Sequence, residues 1–335
     1  MVTKNIGIDL GYGFVKATDG DREYIFPSVV GAARDLKYKS ELASRTPGVD
    51  HLVISVDGRR YFVGDLAIKQ SEIASRSLDQ DRIEDRNTKV LLLTALALFA
   101  QWEQQTFNVV TGLPTVYYAS YKDAWVNAMR GSQTVRFVVG NEEKERTITV
   151  DRVQVVPQPF GTIYDRALNS IGNVVDTDLS KLTVGIIDVG FKTSDFAVSN
   201  GLEFIDRLSS STTTGLSAAY AIIAERLRDE FRVNKENHEL DAIVQKGEVR
   251  LAGKACDITS IRRDAFDRVA QKIITEVDSQ WDRRDLDVVL LTGGGGQALS
   301  EYLLPHFRNA FVVDGAQMAN VRGYLKLASN LFRNE

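Results

Sequence analysis

The sequence predicts an α/β protein of two similar lobes, each a mixed β-sheet flanked by helices, and three observations carry that prediction. The chain has 335 residues, enough for about two domains at roughly 100–200 residues each. One pattern occurs twice: Ile8-Asp9-Leu10-Gly11-Tyr12 and Ile187-Asp188-Val189-Gly190-Phe191 both read aliphatic, Asp, aliphatic, Gly, aromatic at the end of an apolar strand. Self-similarity of this kind points to two halves built alike. The second half, moreover, alternates apolar strands with segments of helical spacing.

The elements follow in order. Ile6-Ile8-Leu10, Phe14 to Ala17 and Tyr24 to Phe26 are apolar stretches too short for helices, punctuated by Gly11-Tyr12-Gly13 and Asp19-Gly20, and they predict an opening β-meander. From about Val29 to Arg86 charge rises and the pattern weakens, although Leu52 to Gly64 reads as a hairpin around Asp57-Gly58. Asn87 or Thr88 caps a helix through Val90 to Phe99 that is apolar nearly all round, hence buried. Phe107 to Thr111 is a strand. Thr134 to Val139 and Arg146 to Val150 form a hairpin about Gly140-Asn141, Val153 to Val156 is a separate strand, and Phe160 to Asn169 is helical.

After a polar linker near 174–181, a strand over 184–187 enters Asp188 to Val198. Leu216 to Phe231 has helical spacing. Ile261, Ala265, Val269, Ile273, Val277 and Trp281 recur every fourth residue. Asp287 to Leu291 is a fully buried strand running into Thr292 and the glycine loop Gly293 to Gly296. A short strand over 309–314 and a closing helix over 318–332 complete the chain.

Composition narrows the function classes. Apolar residues make up 44% and charged residues 26%, with 6 prolines, which describes a folded globular chain. The 41 basic and 45 acidic residues leave a net charge of −4, so bulk charge disfavours direct binding of nucleic acid or an acidic membrane. A single cysteine, Cys256, fits a reducing compartment and is read as a small hydrophobe. The N-terminus does not resemble a secretory signal and the longest apolar run, Val90 to Ala100, is too short for a membrane span, so a cytoplasmic location is expected. His51, His238 and His306 show no metal-ligand spacing.

The paired Asp-x-Gly turns carry the chemistry. Glycines let backbone N–H groups converge on phosphate oxygens, so two such turns suit a nucleoside triphosphate held between the lobes. Asp9 and Asp188 facing a polyphosphate would repel it without a Mg²⁺, a cation that keeps most of its waters and takes one or two carboxylates. Lys16 supplies positive charge to the β-phosphate. A single turn of this type would be only a turn; the pair, with four consecutive glycines at 293–296 against which an adenine or ribose can lie, reverses that balance. No G-x-x-x-x-G-K-[ST] occurs, and Gly11-Tyr12-Gly13 lacks the third glycine of the dinucleotide fingerprint.

These motifs resemble the superfamily of actin, sugar kinases and DnaK-type chaperones, and within it the prokaryotic actins of ParM type and their archaeal relatives. The resemblance spans the first phosphate turn (Asp9 to Lys16), the connecting segment Val156-Pro157-Gln158-Pro159, the second phosphate turn (Asp188 to Asp195), the adenosine loop (Gly293 to Gly296) and the segment Met318 to Tyr324. It implies an actin-like fold with residues 1–175 plus 319–335 as domain I, including an inserted subdomain at about 29–86, and 176–318 as domain II. It implies an ATPase whose subunits polymerise head to tail, binding ATP or ADP with Mg²⁺, GTP being left open, and moving plasmid DNA through a ParR-type adaptor. Residue by residue, Asp9 and Asp188 would hold Mg²⁺ through water. Gly11, Tyr12, Gly13 and Lys16, then Gly190, Lys192, Thr193 and Gly215, would surround the phosphates. Gly293, Gly294, Gly295 and Gly296 would meet the adenosine, and Gln158 would face the attacking water.

Two departures matter. ParM-type members often carry Glu where this chain has Gln158, an amide that orients water but does not readily take its proton, which predicts slow hydrolysis. The second turn has Phe191-Lys192 after Gly190 in place of further glycine, so Lys192 either reaches a phosphate or points into solvent. A small-molecule kinase of the same fold, or a nucleotide-gated binding protein that does not polymerise, are the alternatives. Length favours the filament, since sugar kinases of the superfamily are usually longer and DnaK-type chaperones add a peptide-binding domain.

Overall fold

The computed structural model describes residues 3–34, 49–71, 74–75, 85–139, 142–235 and 239–333. It divides into two compact units, Met1–Thr177 with Met318–Glu335, and Asp178–Gln317.

The first unit opens with β1 (Lys4–Leu10), β2 (Phe14–Thr18) and β3 (Glu23–Pro27), paired antiparallel in sequence as the meander expected from the glycine punctuation. β4 (Val30–Ala32), β5 (Leu52–Val56), β6 (Arg59–Val63), α1 (Asp65–Gln70) and β7 (Ala74–Ser75) follow. Asp57 and Gly58 both take positive φ, 50° and 73°, the requirement of the two-residue turn that matches strand twist. The segment read from the sequence as an inserted subdomain thus places its described strands in the main sheet; residues 35–48, 72–73 and 76–84 lie outside the described residues.

α2 (Arg86–Phe99) is buried on nearly every face, including Val90, Leu91, Ala95, Leu96 and Phe99. Its cap is Asp85, whose carboxylate accepts from the Asn87 N–H, two residues before Asn87 and three before Thr88, the caps expected from sequence. β8 (Gln104–Leu113), α3 (Thr115–Met129), β9 (Gly131–Val139), β10 (Glu142–Pro157) and α4 (Phe160–Ala167) complete this stretch. β10 joins two segments read separately from sequence: the ladder with β8 shifts register between Val150 and Arg152, a local irregularity that lets one strand of 16 residues continue through Asp151. The strand order is β3-β2-β1-β8-β10-β9-β5-β6-β4-β7, with β1, β8 and β10 mutually parallel.

The second unit repeats the opening plan. β11 (Thr183–Val189) pairs antiparallel with β12 (Ser194–Asn200), followed by β13 (Glu203–Phe204), β14 (Ser210–Thr212), α5 (Leu216–Phe231), α6 (Asp241–Lys246), and the small hairpin β15 (Glu248–Leu251) and β16 (Lys254–Asp257). α7 (Thr259–Gln280) buries Ile261, Ala265, Val269, Ile273 and Val277 along one stripe. Trp281, the last member of that spacing, is already extended, and its indole N–H donates to the Leu208 carbonyl at 2.8 Å. β17 (Val288–Thr292), α8 (Gly293–Ala298), α9 (Ser300–Leu303) and β18 (Ala310–Val312) finish the unit, with order β13-β12-β11-β17-β18 and β14 on β12.

The chain then returns to the first unit as α10 (Ala319–Leu331). Val321, Tyr324 and Ala328 bury against Val110 and Val156. Close approach is enforced by missing side chains: a Cβ on Gly7 would collide with the Val321 carbonyl, and one on Gly323 with the Gly161 carbonyl of α4. Among the described residues no helix is long and apolar enough to cross a membrane.

Candidate functional site

In the first unit, Asp9 is the penultimate residue of β1 and only 2% exposed. It stands directly opposite Lys16 in the β1–β2 ladder, so both side chains rise from the same face of the sheet. Lys16 Nζ donates to Asp9 Oδ2 at 2.9 Å, and Gln158 Nε2 donates to Asp9 Oδ1 at 3.4 Å. The sequence placed Asp9 and Lys16 in the first phosphate turn and Gln158 in the connecting segment, and the fold brings the lysine and the amide onto one carboxylate. Gln158 owes its place to backbone contacts: its N–H donates to Leu113 O at 2.8 Å, and its carbonyl accepts from the Tyr324 hydroxyl at 3.0 Å.

The turn Gly11-Tyr12-Gly13 links Asp9 to Lys16. Its conformation is held by Ser28, a residue sequence reasoning missed: the hydroxyl donates to Gly11 O at 2.6 Å and the N–H to Gly13 O at 2.9 Å. With these carbonyls engaged by Ser28, the loop is fixed from below. A Cβ on Gly11 would sit 2.7 Å from the Phe14 carbonyl, so the turn tolerates nothing larger there.

In the second unit, Asp188 occupies the matching place on β11 and is 3% exposed. Its cross-strand neighbour is Asp195, itself 2% exposed. The Thr193 and Ser211 hydroxyls donate to Asp195. The turn closes with Gly190 N–H donating to Thr193 O at 2.9 Å. Helix α5 then docks by its first donors, Leu216 N–H on Gly190 O at 3.1 Å and Ser217 N–H on Phe191 O at 2.7 Å. Gly215, its cap, is glycine by necessity, because a Cβ would meet the Phe191 and Lys192 backbone at 2.6–2.7 Å. Lys192 is half-buried.

The four glycines form no loop. They are the first turn of α8, entered from Gly293 at φ +81°. Glycine is poor in helices, costing ~0.5–1 kcal/mol relative to Ala, and contact explains its presence. A Cβ on Gly293 would collide with Asp188 Oδ1 and the Val189 carbonyl; one on Gly295 would lie 2.7 Å from Val189 Cγ1. Asp188, Gly190, Thr193, Gly215, Gly293 and Gly295 therefore meet within this unit. Gly294 faces Gln317, and Gly296 packs on Leu291.

Each unit contributes a buried carboxylate of the hard type that a hydrated Mg²⁺ accepts. Among the described residues no group of three or more His, Cys, Asp or Glu could hold a metal, so Asp9 in the first unit and Asp188 in the second each offer one carboxylate, the kind of ligand a cation that keeps most of its waters takes one or two of. The lone thiol of Cys256 is half-buried on β16, and His51 and His306 are not part of either turn. His238 lies outside the described residues.

Residues 7–161 match the family model "Actin like proteins N terminal domain", and residues 186–304 match "Archaeal actin homologue MreB-like, C-terminal". A search of curated protein sequences found no match. Among solved structures, the chain is similar to a subunit of a 15-stranded ParM filament from Clostridium botulinum, at TM-score 0.85 and 26% identity over 99% of this chain and 100% of that one. A non-polymerisable quadruple mutant of pCBH ParM aligns at TM-score 0.80 and 26% identity over 98% and 100%. The archaeal actin homologue Ta0583 in complex with ADP aligns at TM-score 0.79 and 19% identity over 98% and 100%. With two actin-type models spanning both units and ParM-like folds matching end to end, the chain belongs to the prokaryotic actin-like proteins.

Proposed function

We propose that this chain is a polymerising ATPase, which binds ATP with Mg²⁺ and assembles head to tail into filaments that turn over as nucleotide is slowly hydrolysed. The observation that carries the reading is the convergence of Lys16 and Gln158 on Asp9 beside a glycine turn fixed by Ser28. An ammonium for phosphate, an acid for a hydrated cation and an amide for water are the parts phosphoryl transfer to water requires. Support for self-assembly comes from the Clostridium botulinum neighbour, which is itself a filament, and support for nucleotide from the archaeal neighbour, which holds ADP.

In this reading the Gly11–Gly13 backbone and Lys16 take phosphate oxygens, as do Gly190, Lys192 and Thr193 on the second turn. Gly215 lets α5 reach that turn, and the face of α8 at Gly293–Gly296 takes the adenosine. Asp9 and Asp188 would hold Mg²⁺ through water. When bound, that ion supplies charge neutralisation for the phosphates. Gln158 positions the attacking water and cannot act as a strong base, so the chain is a timer more than a turnover catalyst. Head-to-tail contact between unlike surfaces generates an open polymer, and segregation of plasmid DNA through a DNA-bound adaptor is the cellular role that this chemistry serves.

Light scattering and pelleting after addition of ATP and Mg²⁺ test the reading: assembly should require both, and phosphate release should lag behind it. A persistent monomer that phosphorylates an added metabolite would overturn it in favour of a kinase. Gln158→Ala should retain ATP binding and slow phosphate release by roughly 10²-fold, and an unchanged rate would remove Gln158 from the reaction.

A further inference from the structure

Asp9 and Asp188 occupy the same place in the repeated plan, yet their cross-strand neighbours carry opposite charge. Lys16 stands opposite Asp9, and Asp195 stands opposite Asp188. The Lys16 pairing is written into the strand register, since the two residues face each other across one rung of the ladder. Its N···O distance is 2.9 Å, with side-chain exposures of 13% for Lys16 and 2% for Asp9. The other oxygen of Asp9 accepts from Gln158. A divalent cation arriving alone would have to take Asp9 from Lys16 and leave a largely buried ammonium without its acid, the costly way to break a buried pair.

We propose that Lys16 is the resident counter-ion of Asp9, barring a lone divalent cation until a polyphosphate draws the ammonium onto itself, so that metal and nucleotide load together. The polyphosphate half of this statement rests on the nucleotide reading above; the bar against a lone cation does not. Lys16 exchanges one anion for another and is never stranded. Its departure leaves Asp9 available to a hydrated cation at the moment the phosphates arrive. Gln158 is drawn into the same exchange. It leaves Asp9 by side-chain rotation alone, because its N–H and carbonyl remain tied to Leu113 and Tyr324. The amide that orients water is thereby released only when nucleotide is in place.

The test uses the full chain stripped of nucleotide. Mn²⁺ binding is followed by electron paramagnetic resonance with and without ADP, and melting temperature is followed with and without millimolar Mg²⁺. In the wild type, Mn²⁺ should bind at least about tenfold more tightly with ADP than without it, and Mg²⁺ alone should leave the melting temperature unchanged. Lys16→Met should gain a Mg²⁺-dependent rise in melting temperature and tighter Mn²⁺ binding without ADP. Both gains should vanish in the double variant Asp9→Asn, Lys16→Met, which also accounts for adventitious surface sites. Wild-type protein that takes Mn²⁺ as tightly without ADP as with it overturns the proposal, as does a Lys16→Met protein that behaves as wild type. Should Lys16→Met fail to fold, Lys16→Gln and the wild-type Mn²⁺ comparison decide. Failure of the wild type to bind ADP at all sinks the nucleotide reading instead, and the comparison of Lys16 variants with wild type in Mg²⁺ alone still decides whether Lys16 guards Asp9.

Discussion

Single atoms decide whether the turns can exist. Gly293 combines a φ of +81° with a position where a Cβ would strike the carboxylate of Asp188 and the Val189 carbonyl, so Ala there must both strain the backbone and displace the Asp188 carboxylate. Gly293→Ala is expected to lower stability by about 1–3 kcal/mol, read from urea denaturation, and to weaken ATP binding in isothermal titration. Wild-type values for both would mean that α8 does not need its glycine entry. At this scale the sequence shows some residues and hides others. Asp9 and Asp188 stand out because their pattern recurs, and Gln158 only through the family resemblance of the connecting segment Val156 to Pro159. Ser28 gives no signal, since a serine after Pro27 says nothing about which carbonyl its hydroxyl will reach once β3 has turned back. Asp195 hides likewise: only the β11–β12 register puts it opposite Asp188.

The β2–β3 turn shows how an element is fastened and how it responds to acid. Asp19 accepts from the Arg22 N–H at 2.9 Å and from the Arg22 guanidinium at 2.8 Å, with Lys4 at 3.3 Å; the guanidinium also lies 5.2 Å from the centre of the Phe99 ring. Burial alone would raise the carboxyl of Asp19, but the hydrogen bonds and charge of Arg22, helped by Lys4, outweigh it and hold the group below its ordinary value. A carboxyl so depressed stabilises the folded chain above its unfolded pKa of about 3.9, and that contribution is lost as pH falls through the folded value. The urea midpoints of wild type and Asp19→Asn should therefore differ near neutrality and converge below about pH 4; a gap that stays constant would show that the turn gains nothing from this charge. The turn itself was legible from Asp19-Gly20. α3 was not: it follows Pro114 directly and buries only Trp125 and Met129, leaving too little apolar periodicity to mark a helix. β10 was read as two strands because Asp151 interrupts the apolar alternation where the ladder slips. α8 was read as a loop because four glycines oppose helix by propensity, and only contact with Val189 and Asp188 reverses that expectation.

At the scale of the whole molecule, among the described residues, a hydrophobic cluster in the first unit and one in the second share no residue. One is built on Ile6, Leu96, Phe107 and Val109, the other on Ile187, Phe196, Ile223 and Ile273. Each unit also carries its own buried acid at a strand end and its own glycine turn. A chain of this design can respond to one nucleotide as a single object only if both turns serve it. If they do, ATP with Mg²⁺ stabilises the folded chain by mass action, about 2.7 kcal/mol at a hundredfold excess over Kd, and neutralising either acid is sufficient to break the linkage. Thermal denaturation of wild type, Asp9→Asn and Asp188→Asn, each with and without ATP and Mg²⁺, reads this directly. Both variants should lose most of the nucleotide-dependent shift, and both should fail to scatter light under conditions where the wild type assembles. Loss in one variant with full retention in the other would assign the nucleotide to a single unit, and the repeated plan would then be a matter of architecture without a shared ligand.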